Sequence, residues 1–215
     1  RLIQNMLDIS KLEAGEYRVN AHSYDVWESL TGVVFSCEQR IEDQGVEIQG
    51  LAPQKTPVYA DPDLVYQVVY NLFDNALKFT PKGGYIRFSV QKAGGFVTVS
   101  VENSGQGISA EALPFVFERF YKEDKSRGLN TRGSGLGLHI CKVLIGLSGG
   151  KIWAGGEQGR FCRFSFTLPC DCSPAEKRKN HKCPPCGAPA GRGAFCPRGM
   201  SKNREKGSWR FAFCA

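Results

Sequence analysis

Three polar side chains interrupt an otherwise apolar stretch, NLFDNALKFT, at residues 71–80. If the stretch is helical, Asn71, Asn75 and Lys78 share one narrow stripe, because successive residues are rotated by about 100°. Asparagine is disfavoured inside helices, since its side chain competes for backbone hydrogen bonds. Carboxamides can bind a hydrated cation and an ammonium can bind phosphate, so the stripe could hold a ligand that carries both. It could equally be a solvated helix face.

A second stripe of the same helix is apolar and predicts the face that packs on the core. Its members follow the i, i+3, i+4, i+7 spacing and are Val65, Val68, Val69, Leu72 and Ala76. Asp61 and Pro62 supply an N-cap and a first-turn proline, so the helix is expected to begin there.

Two glycine-rich stretches flank a polar loop at residues 122–133. The first, ENSGQGIS at 102–109, follows a predicted strand, where glycines often only make turns. The second, GSGLGL at 133–138, opens a helix, where glycines let backbone N–H groups approach an anion. Neither a Walker loop nor the Gly-x-Gly-x-x-Gly fingerprint is present.

The positive charge of the chain lies in its last 46 residues, since residues 1–169 contain 18 basic and 18 acidic side chains. The basic balance therefore says nothing about partners of the core. Cys37, Cys141 and Cys162 lie in apolar patterns and are expected to be buried thiols. No apolar run is long enough to span a membrane. The chain opens on Arg1 without an initiator methionine, so we interpret it as part of a longer protein.

Hydrophobic periodicity and turn residues predict the remaining elements. Residues 1–14 have apolar positions spaced by four and three, typical of a coiled-coil or bundle seam. Helices are predicted over residues 26–41, over SAEALPFVFERFY from Ser109, and from the second glycine stretch to Gly149. Strands are predicted at VEIQGL, PVYAD, YIRFSVQ, FVTVSVEN, KIWAGG and RFCRFSFTLP. The four residues KAGG are expected to connect the first hairpin.

This order of elements predicts an α/β two-layer sandwich. Its sheet is expected to be mixed and mostly antiparallel, with helices covering one face. A doubly wound fold would need strict alternation of strands and helices.

Four motifs, taken in chain order, resemble the N box, first glycine box, F box and second glycine box of sensor histidine kinases. They are NLFDNALKFT, NSGQGI, FVFERFYKED and GSGLGL. The resemblance implies the Bergerat (GHKL) ATP-binding fold shared with DNA gyrase and MutL. It covers residues 16–169 as the catalytic ATP-binding domain. Residues 1–15 resemble the end of the dimerisation and phosphoacceptor hairpin, and residues 170–215 are predicted to be a disordered, basic, cysteine-rich tail.

The resemblance also implies a site for ATP and Mg²⁺. Asn75 would be the metal ligand and Lys78 would reach a phosphate, which makes these two the implied catalytic residues. Asn71 would lie one turn earlier, and Phe79 would line the adenine pocket. Further implied nucleotide contacts are Asn103, Gly105, Gly107, Ile108, Tyr121, Lys122, Arg127, Gly133, Ser134, Gly135, Leu136, Gly137 and Leu138. Charged residues of the loop, including Lys122 and Arg127, could equally be solvated.

Asn103 departs from the family pattern, in which an aspartate accepts a hydrogen bond from the adenine amino group. An asparagine oxygen can accept the same bond without the charge, so nucleotide binding is expected to survive in weaker form.

The first position of the N box separates kinases from hydrolases within this resemblance. ATP-hydrolysing relatives have a glutamate there that activates water, whereas this chain has Asn71, which cannot act as a base. Transfer of the γ-phosphoryl group to a histidine is therefore favoured. His22, His139 and His181 lack the acceptor context, so the acceptor is expected outside this chain. A nucleotide-binding module without kinase activity is the alternative.

The resemblance implies partners as well. These are the receiver domain of a response regulator and a second copy of the parent chain, joined through the missing helical hairpin. No nucleic acid is expected, and membrane attachment would come only through missing N-terminal segments, which makes this the cytoplasmic domain of a membrane-anchored sensor. A zinc- or nucleic-acid-binding role for the tail, suggested by CPPCG at 183–187, remains open.

Overall fold

A computed structural model describes residues 18–122 and 135–171 of the chain. Four α-helices are seen in these ranges: α1 Val26–Ser36, α2 Glu38–Gln44, α3 Pro62–Phe79 and α4 Gly137–Leu147. The strands are β1 His22–Asp25, β2 Glu47–Gln49, β3 Pro57–Ala60, β4 Tyr85–Ala93, β5 Phe96–Ser104, β6 Ile152–Glu157 and β7 Phe161–Pro169.

Five strands form the main sheet in the order β2-β4-β5-β7-β6. The pair β2–β4 is parallel, and the other three pairs are antiparallel. β7 follows β6 in sequence but lies between β5 and β6 in the sheet and pairs with both. The expected mixed, mostly antiparallel sheet is confirmed.

One face of the sheet is apolar and carries the core. Val97, Val99 and Val101 of β5 are buried there, because alternate side chains of a strand point to the same face. Phe73 of α3 stacks on Phe88 of β4 with ring centroids 5.6 Å apart. α3 packs against both α1 and α4, so the helices form the second layer of the sandwich.

The opposite face of the sheet carries polar side chains. Glu102 of β5 is buried between two arginines from the neighbouring strands. Arg163 donates to Glu102 Oε2, through Nε at 2.8 Å, and Arg87 Nη1 donates to Oε1 at 3.3 Å. The three central strands are thus linked by a ladder of charges next to Asn103.

β1 and β3 form a separate two-stranded antiparallel sheet that sequence patterns did not reveal. The predicted strands VEIQGL and PVYAD therefore belong to different sheets. Cys170, which is 3% exposed, bridges Val58 of β3, and the Asp171 N–H donates to Pro57 O at 3.2 Å. The ordered contacts thus continue two residues beyond Pro169.

Three predicted elements are wrong in detail. The helix over residues 26–41 is interrupted at Cys37 (φ −114°, ψ 9°), next to a Ser36 hydroxyl that bonds back to Val33 O. The predicted helix after Ser109 is only a 3₁₀ turn, Leu113–Phe115, because Pro114 lacks an N–H and disfavours helical geometry before it. The first hairpin turns through two residues, Gly94–Gly95, since Ala93 pairs with Phe96.

The start of α3 agrees with its sequence signals. The Asp61 carboxylate accepts from Asp63 N at 3.0 Å, and Pro62 is the first helical residue. Within the described ranges, no helix combines the length and apolar character needed to cross a membrane.

Candidate functional site

The polar stripe of α3 lies along one side of the helix, away from its buried residues. Asn71 and Asn75 are partly buried and Lys78 is exposed. Leu72, Phe73 and Leu77 on the other side are completely buried. The fold therefore holds α3 in one rotational setting, and that setting leaves the two carboxamides and the ammonium accessible.

Asp74 belongs to the same stripe and was missed by the sequence reasoning. Residues 71, 74, 75 and 78 have the spacing i, i+3, i+4, i+7, which places them on one face. Lys78 Nζ donates to Asp74 Oδ2 at 2.5 Å, and Arg40 Nη1 of α2 donates to Asp74 Oδ1 at 2.9 Å. The i, i+4 spacing of Asp74 and Lys78 is the signal that could have found this pair.

Asn71 lies on α3, on the side that faces the first turns of α4. Its side chain hydrogen-bonds the thiol of Cys141, which is completely buried and also donates to Val68 O at 3.7 Å. A Cβ atom placed on Gly137 would lie 3.9 Å from Asn71 Oδ1. The N box therefore lies close to the second glycine box at Asn71.

Burial makes Cys141 a chemically inert thiol. Desolvation raises its pKa to about 12, although the hydrogen bond with Asn71 acts in the opposite direction. Because the thiolate is the reactive species, we expect no iodoacetamide adduct on Cys141 in the native protein at pH 8 and complete modification in guanidinium. Site-resolved mass spectrometry checks this result. Rapid labelling of the native protein would show that α4 does not pack on Asn71 as described.

The first glycine box follows β5 in the chain and packs against the end of α3. Asn103 is 3% exposed, and its Nδ2 donates to Ser104 O at 3.0 Å. Gly105 has φ +143°, and a Cβ atom there would lie 2.4 Å from Phe79 O. Only glycine fits such an approach, so the structure brings Phe79, which is 63% exposed, beside the box. Ile108 is buried in the core.

The F box and the second glycine box meet at the two ends of the polar loop. The Phe120 N–H donates to Gly135 O at 3.0 Å, and both residues have positive φ, +60° and +70°. Tyr121 and Lys122 follow directly and are partly buried. Arg127, Gly133 and Ser134 lie outside the described residues.

The N-terminus of α4 has features of an anion site. Leu136, the N-cap residue, is 1% exposed, and its apolar side chain makes no cap hydrogen bond. Gly137 is the first helical residue and Leu138 packs partly on the core. The backbone N–H groups that begin this helix are therefore not covered by a side chain of the N-cap residue.

His139 connects the F box to α4. Arg119 Nε donates to His139 Nε2 at 3.1 Å, so the proton resides on Nδ1, which donates to Phe117 O at 3.1 Å. This agrees with a packing role and not with a phosphoacceptor.

A metal at this site would depend on amide oxygens. In the described ranges, no three His, Cys, Asp or Glu side chains are grouped to hold an ion. The Asn75 carboxamide on an accessible helix face suits Mg²⁺, which keeps much of its water and takes other oxygens from phosphates. A separate cleft of about 350 Å³ is lined by Ser100, Trp153 and Arg163 among others. None of the residues implied in nucleotide or metal binding lines this cleft.

The chain is similar in sequence and in fold to known proteins. The family described as "Histidine kinase-, DNA gyrase B-, and HSP90-like ATPase" matches residues 60–171. Sensor histidine kinase WalK of Bacillus subtilis is 33% identical over 171 residues, which are 79% of this chain and 28% of WalK. Full-length ShkA in complex with AMPPNP is similar in structure, with TM-score 0.70 and 28% identity over 80% of this chain and 36% of ShkA. Histidine kinase ThkA in complex with response regulator protein TrrA gives TM-score 0.64 and 27% identity over 79% of this chain and 47% of the matched one. The chain spans less than half the length of each of these three proteins.

Proposed function

We propose that this chain binds Mg²⁺–ATP and transfers the γ-phosphoryl group to a histidine. It belongs to the family of histidine kinase-, DNA gyrase B- and HSP90-like ATPases, and it matches the catalytic domains of sensor histidine kinases. The acceptor would lie on a helical hairpin, because none of the three histidines here stands in an acceptor context.

One observation carries this proposal: the carboxamide and ammonium stripe of α3 begins at Asn71, which lies beside the first turn of α4. Asn75 would hold the Mg²⁺ ion, and the ion would neutralise part of the phosphate charge. Lys78 would bind a phosphate, and N–H groups from Gly135 to Leu138 would bind others. Phe79, Asn103, Gly105, Gly107 and Ile108 would surround the adenine. Tyr121, Lys122, Arg127, Gly133 and Ser134 would complete the nucleotide contacts.

The described residues favour transfer over hydrolysis. Asn71 has no proton-accepting carboxylate, and its side chain is already bonded to Cys141. Asp74 is the carboxylate on the stripe, but it is bound by Lys78 and Arg40, and its pKa is lowered. A carboxylate of low pKa is a poor base for activating water. This site would therefore contribute by positioning the phosphates for attack by an incoming imidazole.

Partners are proposed on the same basis. A receiver domain of a response regulator would take the phosphoryl group from the histidine, as the complex of ThkA with TrrA suggests. Dimerisation through the hairpin and attachment to a membrane through other segments of the parent protein complete the proposal.

Incubation with γ-labelled ATP, with and without the hairpin of the parent protein added in trans, tests this function. We expect an acid-labile, base-stable label on the hairpin and none on the chain alone. Lys142→Ala, on an exposed residue of α4, serves as a control that should transfer normally. Stable labelling of the isolated chain, or the absence of Mg²⁺-dependent ATP binding, would overturn the proposal.

Asn103 favours one second candidate, a nucleotide-binding module without transfer. Its carboxamide lies where the family has an aspartate, and Nδ2 is turned to the backbone of Ser104. Tight ATP binding without labelling of the hairpin would select this alternative.

A further inference from the structure

We propose that Asp74 is a positioning residue that holds the Lys78 ammonium on the α3 stripe until a nucleotide phosphate replaces the Asp74 carboxylate as the partner of Lys78. This inference rests on the proposed ATP site and adds a control of its phosphate contact.

The geometry shows that Lys78 is already engaged. Its Nζ lies 2.5 Å from Asp74 Oδ2, one helical turn back along the stripe and next to Asn75. The second oxygen, Oδ1, accepts from Arg40 Nη1 at 2.9 Å. With both oxygens bonded, the Asp74 carboxylate is fixed between α2 and α3, and the ammonium is held with it.

The charges of the trio favour an exchange. Asp74 accepts hydrogen bonds from two cationic groups, the Lys78 ammonium on its own helix and the Arg40 guanidinium on α2. With one carboxylate and two cations, the trio carries one net positive charge. When a phosphate draws Lys78 away, Arg40 can keep its bond to Asp74, so the carboxylate is not left without a partner.

The exposure of the trio shows that the pair with Lys78 is weak enough to be replaced. The side chains of Lys78, Asp74 and Arg40 are 36%, 23% and 42% exposed. Solvent-exposed pairs at i, i+4 contribute little, whereas a triphosphate offers several charges and Mg²⁺ beside Asn75. We therefore expect the resting pair to reduce ATP affinity by about two- to threefold without preventing binding.

Calorimetry on the full chain tests this role through Asp74→Asn. This variant should bind Mg²⁺–ATP about two- to threefold more tightly. Its affinity for adenosine should be unchanged. Lys78→Met should weaken ATP binding, and adding Asp74→Asn to Lys78→Met should have no further effect. Asp43→Asn, an exposed carboxylate on α2 bonded to Gln39, changes the net charge equally and should bind ATP normally.

A purely structural role for Asp74 would change ATP and adenosine affinity together, and this result would overturn the inference. Unchanged or weaker ATP binding by Asp74→Asn, or a gain that persists without Lys78, would do the same. Failure of the native chain to bind ATP would overturn the proposed function as well, so the two failures are distinguishable.

Discussion

Asn75→Ala should abolish the Mg²⁺ dependence of ATP binding and weaken binding more than tenfold. The side chain lies on the accessible side of α3 between Asn71 and Lys78, and it offers the carboxamide oxygen that would hold the ion. Without the ion, the phosphates face the site with their full charge. Calorimetry with and without Mg²⁺ measures both changes.

Gln67→Ala provides the matched control for Asn75→Ala. Gln67 is also a partly buried carboxamide on α3, two turns before Asn75 and outside the N box. Its removal should leave ATP binding and the melting temperature nearly unchanged. If Asn75→Ala kept the full Mg²⁺ dependence, the metal ligand would have to be another residue.

Gly107→Ala should destabilise the domain strongly and remove ATP binding at the same time. Gly107 has φ +68°, and a Cβ atom there would lie 2.2 Å from Glu157 O and 2.8 Å from Glu157 C. The strain of a left-handed alanine costs about 1–2 kcal/mol, and the clash with backbone adds to it. We expect a loss of more than about 3 kcal/mol, which corresponds to a decrease of about 10 °C in Tm for a domain of this size.

Gly94→Ala separates the two contributions. Gly94 lies in the β4–β5 turn with φ +58°, but a Cβ atom there meets nothing within 4 Å. This variant should show only the strain, with ATP affinity intact. Equal losses for Gly107→Ala and Gly94→Ala would mean that the close approach to Glu157 is not required.

Local signals in the sequence were sufficient for α3. Its N-cap, first-turn proline, apolar face and polar stripe all lie within eighteen consecutive residues, and the structure contains each of them. β1 was not predicted, because HSYD has no apolar alternation and pairs only with β3, more than thirty residues later. The break at Cys37 and the short turn at Pro114 also depend on single residues inside otherwise helical patterns.

The candidate site was predicted from its motifs, whereas its supporting contacts were not. Asn71, Asn75 and Lys78 could be placed on one face from periodicity alone. The roles of Asp74 and Cys141 depend on Arg40 from α2 and on the packing of α4 against α3, and no local pattern specifies these contacts. The assignment of each residue to ATP or Mg²⁺ remains a prediction that the proposed variants test.

The position of β7 inside the main sheet, between β5 and β6, has a consequence for synthesis of the protein. The ribosome releases β5 and β6 before β7, yet in the main sheet β7 is the strand that pairs with both of them. Until residues 161–169 emerge, β5 has a nine-residue edge with alternating valines, and such an edge can pair with another nascent chain. Completion of the sheet therefore waits for its last strand, and during that interval the valine edge of β5 is open to pairing with other chains.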